Sequence, residues 1–222
     1  IMAAIIVVLA VANEFLMGLI PQFMVDELEV DPKHAGFAFA TLPLSAAFGT
    51  FVLGILHGRV AENRMLGIYV VLLSFASLLM FVMGIFCHHL DVVKGVSLKQ
   101  GQTTIPGGKG TQHSSSFSAV IVCFMLTVIN LCLGPAYCLP GQLYAMKLGG
   151  DVYCGLVMSL IDSVDYLCCA AFMYWAGIST DAPDGWVDVI QIVDAGLWVS
   201  AMCFIALLLQ GDTSRRLVPR KT

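Results

Sequence analysis

The chain has 222 residues, of which 59% are hydrophobic and only 12% are charged, and its net charge is −4. A water-soluble domain carries about 25% charged residues. Because too few polar side chains are present to cover a globule in water, the composition excludes a soluble domain and predicts that lipid surrounds most of the chain. The basic residues form no stripe, so nucleic acid is not a predicted partner.

The apolar residues fall into six runs that are separated by short polar breaks. Each run is close to the ~20 residues that a helix needs to cross the hydrocarbon core of a bilayer. The runs are continuously apolar rather than alternating, which predicts helices and not the strands of a barrel. We therefore predict an all-α, polytopic membrane protein whose six-helix bundle covers residues 1–210, with spans at about 1–21, 36–57, 66–87, 118–140, 153–177 and 186–209.

Two segments outside the spans differ from the rest in composition. Residues 88–117 are rich in Gly, Ser and Thr, so they cannot bury a core and are predicted to form a flexible outer loop. Residues 211–222 are predicted to form a basic cytoplasmic tail. The chain begins at Ile1 with no basic segment ahead of the first apolar run, so no signal peptide is predicted and we expect a part of a longer protein.

Six spans place both ends of the chain on the same side of the membrane. Cytoplasmic loops carry an excess of Lys and Arg, and most of the 11 basic residues fall on the side of the two ends. We therefore predict that both ends are cytoplasmic. The basic residues on this side are Arg59, Arg64, Lys147, Arg215, Arg216, Arg220 and Lys221, against Lys33, Lys94, Lys99 and Lys109 on the other.

Four carboxylates lie inside the predicted spans, where a charge costs about 2.5–3.5 kcal/mol at the centre of a helix. They either belong to a substrate or proton path or are hydrogen-bonded between helices, and the sequence leaves both readings open. Asp162 and Asp165 are three residues apart, so they share a helical face that should point away from lipid. The four residues are Glu14, Asp162, Asp165 and Asp194.

Proline and glycine interrupt the second and fourth runs, at Pro43, at Gly134-Pro135 and at Pro140-Gly141. Interrupted helices are typical of transporters, in which freed backbone groups line a cavity, whereas a simple packing kink is the ordinary role of such residues. The sequence leaves both readings open.

Segments from the first part of the chain carry a resemblance to a known family. They are a span with a polar interruption, ANEFLMG, the acidic loop PQFMVDELEVDPKHAGF and a Gly-rich span that ends in GILHGRVAENR. Together they resemble the C-terminal half of a major facilitator superfamily transporter. In the family's loop motif, Gly-x-x-x-Asp-Arg, Gly54 and Arg59 match, whereas Gly58 stands where the motif has Asp. The resemblance implies that this short cytoplasmic loop holds helices together through charge contacts.

Residues 133–209 resemble one branch of that family, the organophosphate–phosphate antiporters, which exchange sugar phosphates. The likeness rests on LGPAYCLPGQLYAMKLGG, on CGLVMSLIDSVDYLCCAAFMYWAGI and on DGW followed by a last span. Members of this branch bind phosphate through basic residues in the cavity. The corresponding part of the first span, around Leu16 and Met17, is apolar, so the acidic bias suits a proton-coupled or cationic solute as well.

The resemblance implies one half of a 12-helix transporter with the substrate site between two six-helix halves. The implied partners are a small-molecule solute, the lipid bilayer and an N-terminal six-helix half. The implied function is secondary active transport by alternating access, of an organic phosphate or sugar phosphate or, alternatively, of another small solute with protons. A non-transporting membrane receptor or scaffold is a further alternative.

The candidate residues of the substrate or proton path are polar side chains of the spans. Asn130 and Gln142 fit hydrogen bonds between helices equally well. The candidates are Asn13, Glu14, Asn130, Tyr137, Gln142, Asp162 and Asp165.

The sequence predicts no enzyme, no cofactor and no metal site. No His lies in the core of a predicted span, and neither a GxSxG nor an HExxH motif occurs. Asp162 and Asp165 are the one pair that an intramembrane aspartyl protease could use, but two acids on one helix face are poorly placed to share a proton. The eight cysteines form no CxxC pair and are interpreted as small apolar core residues.

Overall fold

The computed structural model of the chain describes residues 2–26, 30, 32–100, 112–182 and 185–216. All regular secondary structure in these residues is helical, which confirms the all-α prediction. A π-helical turn over Phe15–Leu19 joins the first two helices. The helices are α1 (Met2–Glu14), α2 (Ile20–Asp26), α3 (Pro32–His57), α4 (Glu62–Gln100), α5 (Gln112–Ser179) and α6 (Gly185–Arg216).

In the part of the chain that the structure describes, five helical segments are long and apolar enough to cross a membrane, which is consistent with a multi-pass membrane protein. Large apolar side chains cover their outer surface, and Leu44, for example, is 72% exposed. Soluble monomers rarely expose large contiguous apolar patches, so this surface suits hydrocarbon. The segments are Met2–Asp26, Phe39–His57, Arg64–Phe86, Val120–Ser179 and Gly185–Gln210.

Helix α5 is a helical hairpin rather than one straight rod. Gly150 has φ 54° and ψ −161°, outside the helical region, and divides α5 into a first arm (112–149) and a second arm (151–179). Met158 of the second arm lies beside Gly141 of the first. In a straight helix these two residues would be ~25 Å apart, so the second arm folds back along the first. A positive φ of this kind strains any residue except glycine.

Helix α3 and the first arm of α5 run parallel. Because their contacts advance together in steps of four residues, one face of each helix forms the interface. The contacts are a hydrogen bond between Asn130 and Leu42, the approach of Gly134 to Ala46, and a hydrogen bond between Thr50 and Cys138.

Helix α6 runs antiparallel both to α4 and to the pair formed by α1 and α2. In each interface the residue numbers rise on one helix while they fall on the other. The contacts are Tyr69–Phe204 and Ser77–Asp194 with α4, and Val8–Gly196 and Phe23–Trp186 with α1 and α2.

Helix α1 and the turn that follows it contact both arms of α5, antiparallel to the first arm and parallel to the second. Ile6 lies beside Gly141, and Ile20 and Met24 share a small pocket with Cys123 and Leu126 of the first arm. On the other side, Glu14 interacts electrostatically with Cys169, and Gly18 touches Met173.

The buried core lies around α1, the π turn, α4, the first arm of α5 and α6. Phe15, Leu73, Leu133 and Phe204 are among its fully buried side chains. The second arm contributes few buried apolar residues, since most of its side chains are exposed. This arm therefore lies at the edge of the bundle and touches it mainly through the face that carries its acids.

The helices extend beyond the predicted spans. Helix α4 continues to Gln100 and α5 begins at Gln112, so both enter the segment 88–117 that was predicted to be a loop, and α6 continues to Arg216 within the predicted tail. A helix satisfies its own backbone groups and does not have to end at the lipid surface. The rest of these two segments, 101–111 and 217–222, lies outside the described residues.

The prolines lie inside continuous helices. Helix α3 continues through Pro43, and α5 continues through Pro135 and Pro140, which agrees with packing kinks and not with interrupted helices at these positions. A proline removes one backbone hydrogen bond and bends a helix, and neighbouring helices in a bundle support the freed carbonyl. The departures from α-helix lie instead at Phe15–Leu19 and at Gly150.

Helices α3 and α5 approach most closely at two glycines. A Cβ atom on Gly134 would lie 2.8 Å from the Cα and Cβ atoms of Ala46, and one on Gly49 would overlap the carbonyl group of Leu131. Small residues in membrane interfaces allow two backbones to approach in this way. Gly54, further along α3, has no atom within 4 Å of its Cβ position.

Replacing Gly49 with Ala should destabilise the bundle, because the new methyl group would push α5 away from α3. Overpacking of this kind costs about 1–3 kcal/mol, which lowers the apparent Tm of a chain of this size by on the order of 5 °C. The measurement is thermal unfolding in neutral detergent, followed by helical circular dichroism.

The matched control is Gly54→Ala on the same helix. Its Tm should be unchanged or slightly higher, since Ala favours a helix over Gly and the position is open. Equal Tm values for the two variants would contradict the close approach of the two helices.

Candidate functional site

Three carboxylates of the membrane-spanning segments gather where α1 meets the second arm of α5. Glu14 is the last residue of α1, and it lies near the thiol of Cys169, one helical turn beyond Asp165. Asp162 and Asp165 interact with each other across one turn of the second arm. We call Glu14, Asp162 and Asp165 the acidic cluster.

The acidic cluster lies near the middle of the membrane-spanning segments. Glu14 is ~18 Å along the helix from Met2, and Asp162 is ~18 Å from Gly150. In the register of the contacts Glu14–Cys169 and Gly18–Met173, Asp165 and Asp162 lie ~6 Å and ~10 Å along the helix axis from Glu14, so the three acids fall within the central part of a hydrocarbon core about 30 Å thick. The cluster is therefore placed where an isolated charge is most costly.

Tyr137 of the first arm lies close to the acidic cluster. It is near enough to Asp165 and Asp162 for Coulombic interaction, and its side chain is half-buried. A phenol hydroxyl can donate a hydrogen bond to a carboxylate or accept one from a solute. The next residue, Cys138, is hydrogen-bonded to Thr50 of α3, which ties this part of the first arm to α3.

Asp165 is the most buried acid of the cluster and is incompletely paired. Its side chain is 5% exposed, and its Oδ1 atom accepts no hydrogen bond from any residue that the structure describes. Buried polar atoms in folded proteins almost always have a partner. Asp165 is therefore able to take up a proton, or to receive a hydrogen-bond donor or a cationic group of a solute.

The π-helical turn begins directly after Glu14. The backbone N–H of Ile20 donates to the carbonyl of Phe15, five residues earlier, which widens the helix at this point. Such turns occur frequently at functional sites. The thioether methyl group of Met173 occupies the place that a Cβ on Gly18 would take, so the turn packs directly against the second arm. This turn was not predicted from the sequence, although the polar interruption ANEFLMG marks its position.

Asn130 lies outside the acidic cluster, at the interface of α3 and α5. It is fully buried, and its Nδ2 donates to the carbonyl oxygen of Leu42 at 2.5 Å, so it forms an interhelical hydrogen bond. Its Oδ1 has no partner within the described segments. Of the other candidates, Asn13 is half-buried next to Glu14, and Gln142 is exposed on the first arm.

The fourth carboxylate, Asp194, is separate from the acidic cluster. It is buried between α6 and α4, where the hydroxyl of Ser77 donates a hydrogen bond to its Oδ1. Asp194 thus has a protein partner, whereas Oδ1 of Asp165 has none among the described residues.

The residues of the loop motif lie at the connection between α3 and α4. Gly54 and Arg59 are both exposed. The backbone N–H of Arg59 donates to the carbonyl of Leu56 at 3.0 Å and closes the turn after α3.

Within the described residues, no group of three His, Cys, Asp or Glu side chains is placed to hold a metal ion. The cysteines of this part of the chain are free thiols, of which Cys132 and Cys169 are buried. The chemistry that these residues offer at membrane depth is the binding of protons and polar groups by carboxylates.

No protein-family model, no curated protein and no solved structure matches the chain. The likeness to the major facilitator superfamily therefore stays a prediction from the segments quoted above, and a functional interpretation has to rest on the acidic cluster and its surroundings.

Replacing Asp165 with Asn should stabilise the protein, because an amide keeps the shape of the side chain and removes a buried charge that is incompletely paired. A charge at the centre of a membrane helix costs about 2.5–3.5 kcal/mol, whereas the missing hydrogen bond at Oδ1 is the same for the amide, so the apparent Tm at pH 8 should rise by on the order of 5 °C. Asp181→Asn, in the exposed turn after α5, is the control and should leave the Tm unchanged. A lower Tm for Asp165→Asn would mean that the carboxylate has a stabilising partner.

Proposed function

We propose that the chain is one half of a secondary transporter, in which the acidic cluster binds a coupling proton or a cationic group of the solute. The observation that carries this proposal is the buried Oδ1 of Asp165, which accepts no hydrogen bond from the described residues at the depth where an unpaired carboxylate is most costly. Ionisable groups that persist in such places commonly serve substrate and proton pathways.

The proposal includes six crossings of the membrane. The contacts described above give α1, α4 and the second arm of α5 one direction, and α3, the first arm and α6 the opposite direction. In chain order the direction therefore alternates at every step. The 60-residue segment Val120–Ser179 is about three times longer than one crossing needs, and Gly150 divides it.

Cysteine labelling tests the six crossings. Asp151 and Asp181 are both exposed and lie at opposite ends of the second arm. A membrane-impermeant maleimide should label Asp181→Cys from outside intact cells, and should label Asp151→Cys only after permeabilisation. The parent chain gives the background from its own cysteines. Labelling of both positions from one side, or no labelling of position 151 after permeabilisation, would exclude the six-crossing topology.

The cluster favours proton or cation coupling over direct binding of phosphate. Its three ionisable groups are acids, and a phosphate dianion needs charge-assisted donors such as Arg or Lys. Arg64 and Lys147 lie towards the end of the bundle that holds Met2, and Met2 is ~18 Å along α1 from Glu14. Transport of an organic phosphate would therefore need basic residues from another part of the protein.

The partial exposure of the acidic cluster at the surface of the bundle supports the proposal that a second six-helix half covers it. Asp162 is half-buried, so part of its carboxylate reaches the surface of the bundle at mid-membrane depth. A carboxylate in this position does not face hydrocarbon; it faces a water-filled path or another protein surface. In alternating access, that path opens to one side of the membrane at a time between the two halves.

Transport by the full-length protein in reconstituted vesicles tests the function. Vesicles loaded with a pH-sensitive dye are given a panel of amines, amino acids, nucleosides and sugar phosphates, and solute uptake and proton movement are recorded together. We expect uptake that is coupled to protons. Glu14→Gln and Asp165→Asn should each reduce it by at least about tenfold, the equivalent of one charge-assisted contact.

Asp194→Asn is the matched control, because Asp194 is also an acid at membrane depth but is bonded to Ser77. Solute uptake by the Asp194→Asn variant should stay within about twofold of that by the parent, since Asp194 lies in the interface between α4 and α6 and not in the acidic cluster. Parental uptake in both Glu14→Gln and Asp165→Asn would remove the acidic cluster from the mechanism. Absence of flux for the whole panel would favour the alternative of a non-transporting receptor.

A further inference from the structure

A cavity of about 620 Å³ lies among the helix ends near Met2, away from the acidic cluster. Its wall is built from the start of α1, the end of α3, the start of α4, the end of the first arm of α5 and the last part of α6. The volume falls within the range of about 300–1,000 Å³ that is usual for small-molecule sites. Residues that define it include Met2, His57, Tyr69, Tyr144, Lys147 and Leu207.

The polar side chains of this cavity are all able to donate hydrogen bonds. They are the imidazole of His57, the hydroxyls of Tyr69 and Tyr144, and the ammonium of Lys147. None of the described residues that line the cavity is acidic. The cavity thus offers donors and positive charge, whereas the acidic cluster offers acceptors and negative charge, so the two sites suit different ligands.

Tyr69 is the most deeply buried polar residue of the cavity wall. Its side chain is 2% exposed, its ring packs 5.7 Å from that of Phe204, and its hydroxyl has no hydrogen-bond partner among the residues described. A buried hydroxyl without a partner is costly. The hydroxyl oxygen itself is covered by neighbouring atoms, so a small rearrangement of the cavity wall on binding would let an acceptor atom of a ligand supply the missing bond.

The remainder of the wall is apolar and adaptable. Met65, Leu66, Leu143 and Leu207 line it together with Met2. Methionine side chains are flexible and fill irregular space, so this wall suits a flexible alkyl chain better than a rigid polar molecule.

We propose that this cavity binds an anionic amphiphile, with a phosphate or carboxylate head among His57, Tyr69, Tyr144 and Lys147 and an alkyl chain against the methionines and leucines. Basic pockets between membrane helices commonly hold the head groups of acidic lipids. The same chemistry is found in a membrane phospholipid and in a free fatty acid. The site does not depend on the proposed transport, because it shares no residue with the acidic cluster.

Native mass spectrometry of the full chain, released from neutral detergent, tests the proposal with four probes. They are phosphatidylglycerol, decanoic acid, decanol without the acidic head, and glycerol phosphate without the alkyl chain. We expect adducts with at least one of the first two, and binding about tenfold weaker for decanol and glycerol phosphate, which each lack one of the two contacts. Equal binding of decanoic acid and decanol, or of the acidic amphiphiles and glycerol phosphate, would overturn the proposal.

Two variants connect binding to the cavity. Tyr69→Phe removes only the hydroxyl, so it should weaken binding of the acidic probe by about tenfold and weaken the binding of decanol, whose hydroxyl is a neutral acceptor, by a smaller factor. Leu143→Trp fills the cavity and should abolish both. Tyr166→Phe, on the exposed surface of the second arm, is the control and should bind like the parent. Parental binding of the acidic probe in Tyr69→Phe would overturn the assignment, even if Leu143→Trp failed to fold.

The same measurement separates the two sources of the ligand. A phospholipid mass that is present on the protein as purified, and that decanoic acid displaces, identifies a resident membrane lipid. A bare protein that takes up decanoic acid but not phosphatidylglycerol identifies a free amphiphile. Either result supports the site, whereas adducts of neither acidic probe exclude it.

Discussion

In a hydrocarbon environment, each backbone N–H and C=O group must find its partner within the protein, and the architecture of this chain follows from that requirement. It explains why α3 passes through Pro43 and α5 through Pro135 without ending. It also explains the form of the irregularity after Glu14, where the Ile20 amide reaches back to the Phe15 carbonyl, so that the helix widens without losing its hydrogen bonding.

Buried polar side chains also need hydrogen-bond partners within the protein, and those of this bundle differ in whether they have one. Asp194 is bonded by Ser77, and the amide of Asn130 is bonded to the carbonyl of Leu42, so both join helices. Among the described residues, four buried atoms are left without such a bond: Oδ1 of Asn130, the hydroxyl of Ser200, Oδ1 of Asp165 and the hydroxyl of Tyr69. The last two are the functional candidates. Each of these two atoms lies at a site where the surrounding side chains share one kind of chemistry, acidic around Asp165 and donor-rich around Tyr69.

The sequence was sufficient for features that depend on composition and local spacing. The apolar runs predicted helices of membrane-spanning length. The three-residue separation of Asp162 and Asp165 was enough to place both acids on one face of the second arm.

Other features depend on contacts between distant segments, which no local pattern reveals. The meeting of Glu14 with the second arm results from the fold of the α5 hairpin, and the effect of the prolines depended on support from neighbouring helices. Tyr69 lies in an apolar run whose composition resembles that of the other spans. The sequence therefore predicts neither the incomplete hydrogen bonding of its hydroxyl nor the cavity beside it.

The hairpin of α5 has a mechanical consequence. Its two arms are joined directly at Gly150, a glycine with a positive φ angle, without a longer loop between them. The second arm, which carries Asp165, is therefore joined at one residue to the first arm, whose Asn130 is hydrogen-bonded to α3. A displacement of the second arm relative to the first must therefore be accommodated at this one residue, while the first arm stays attached to α3.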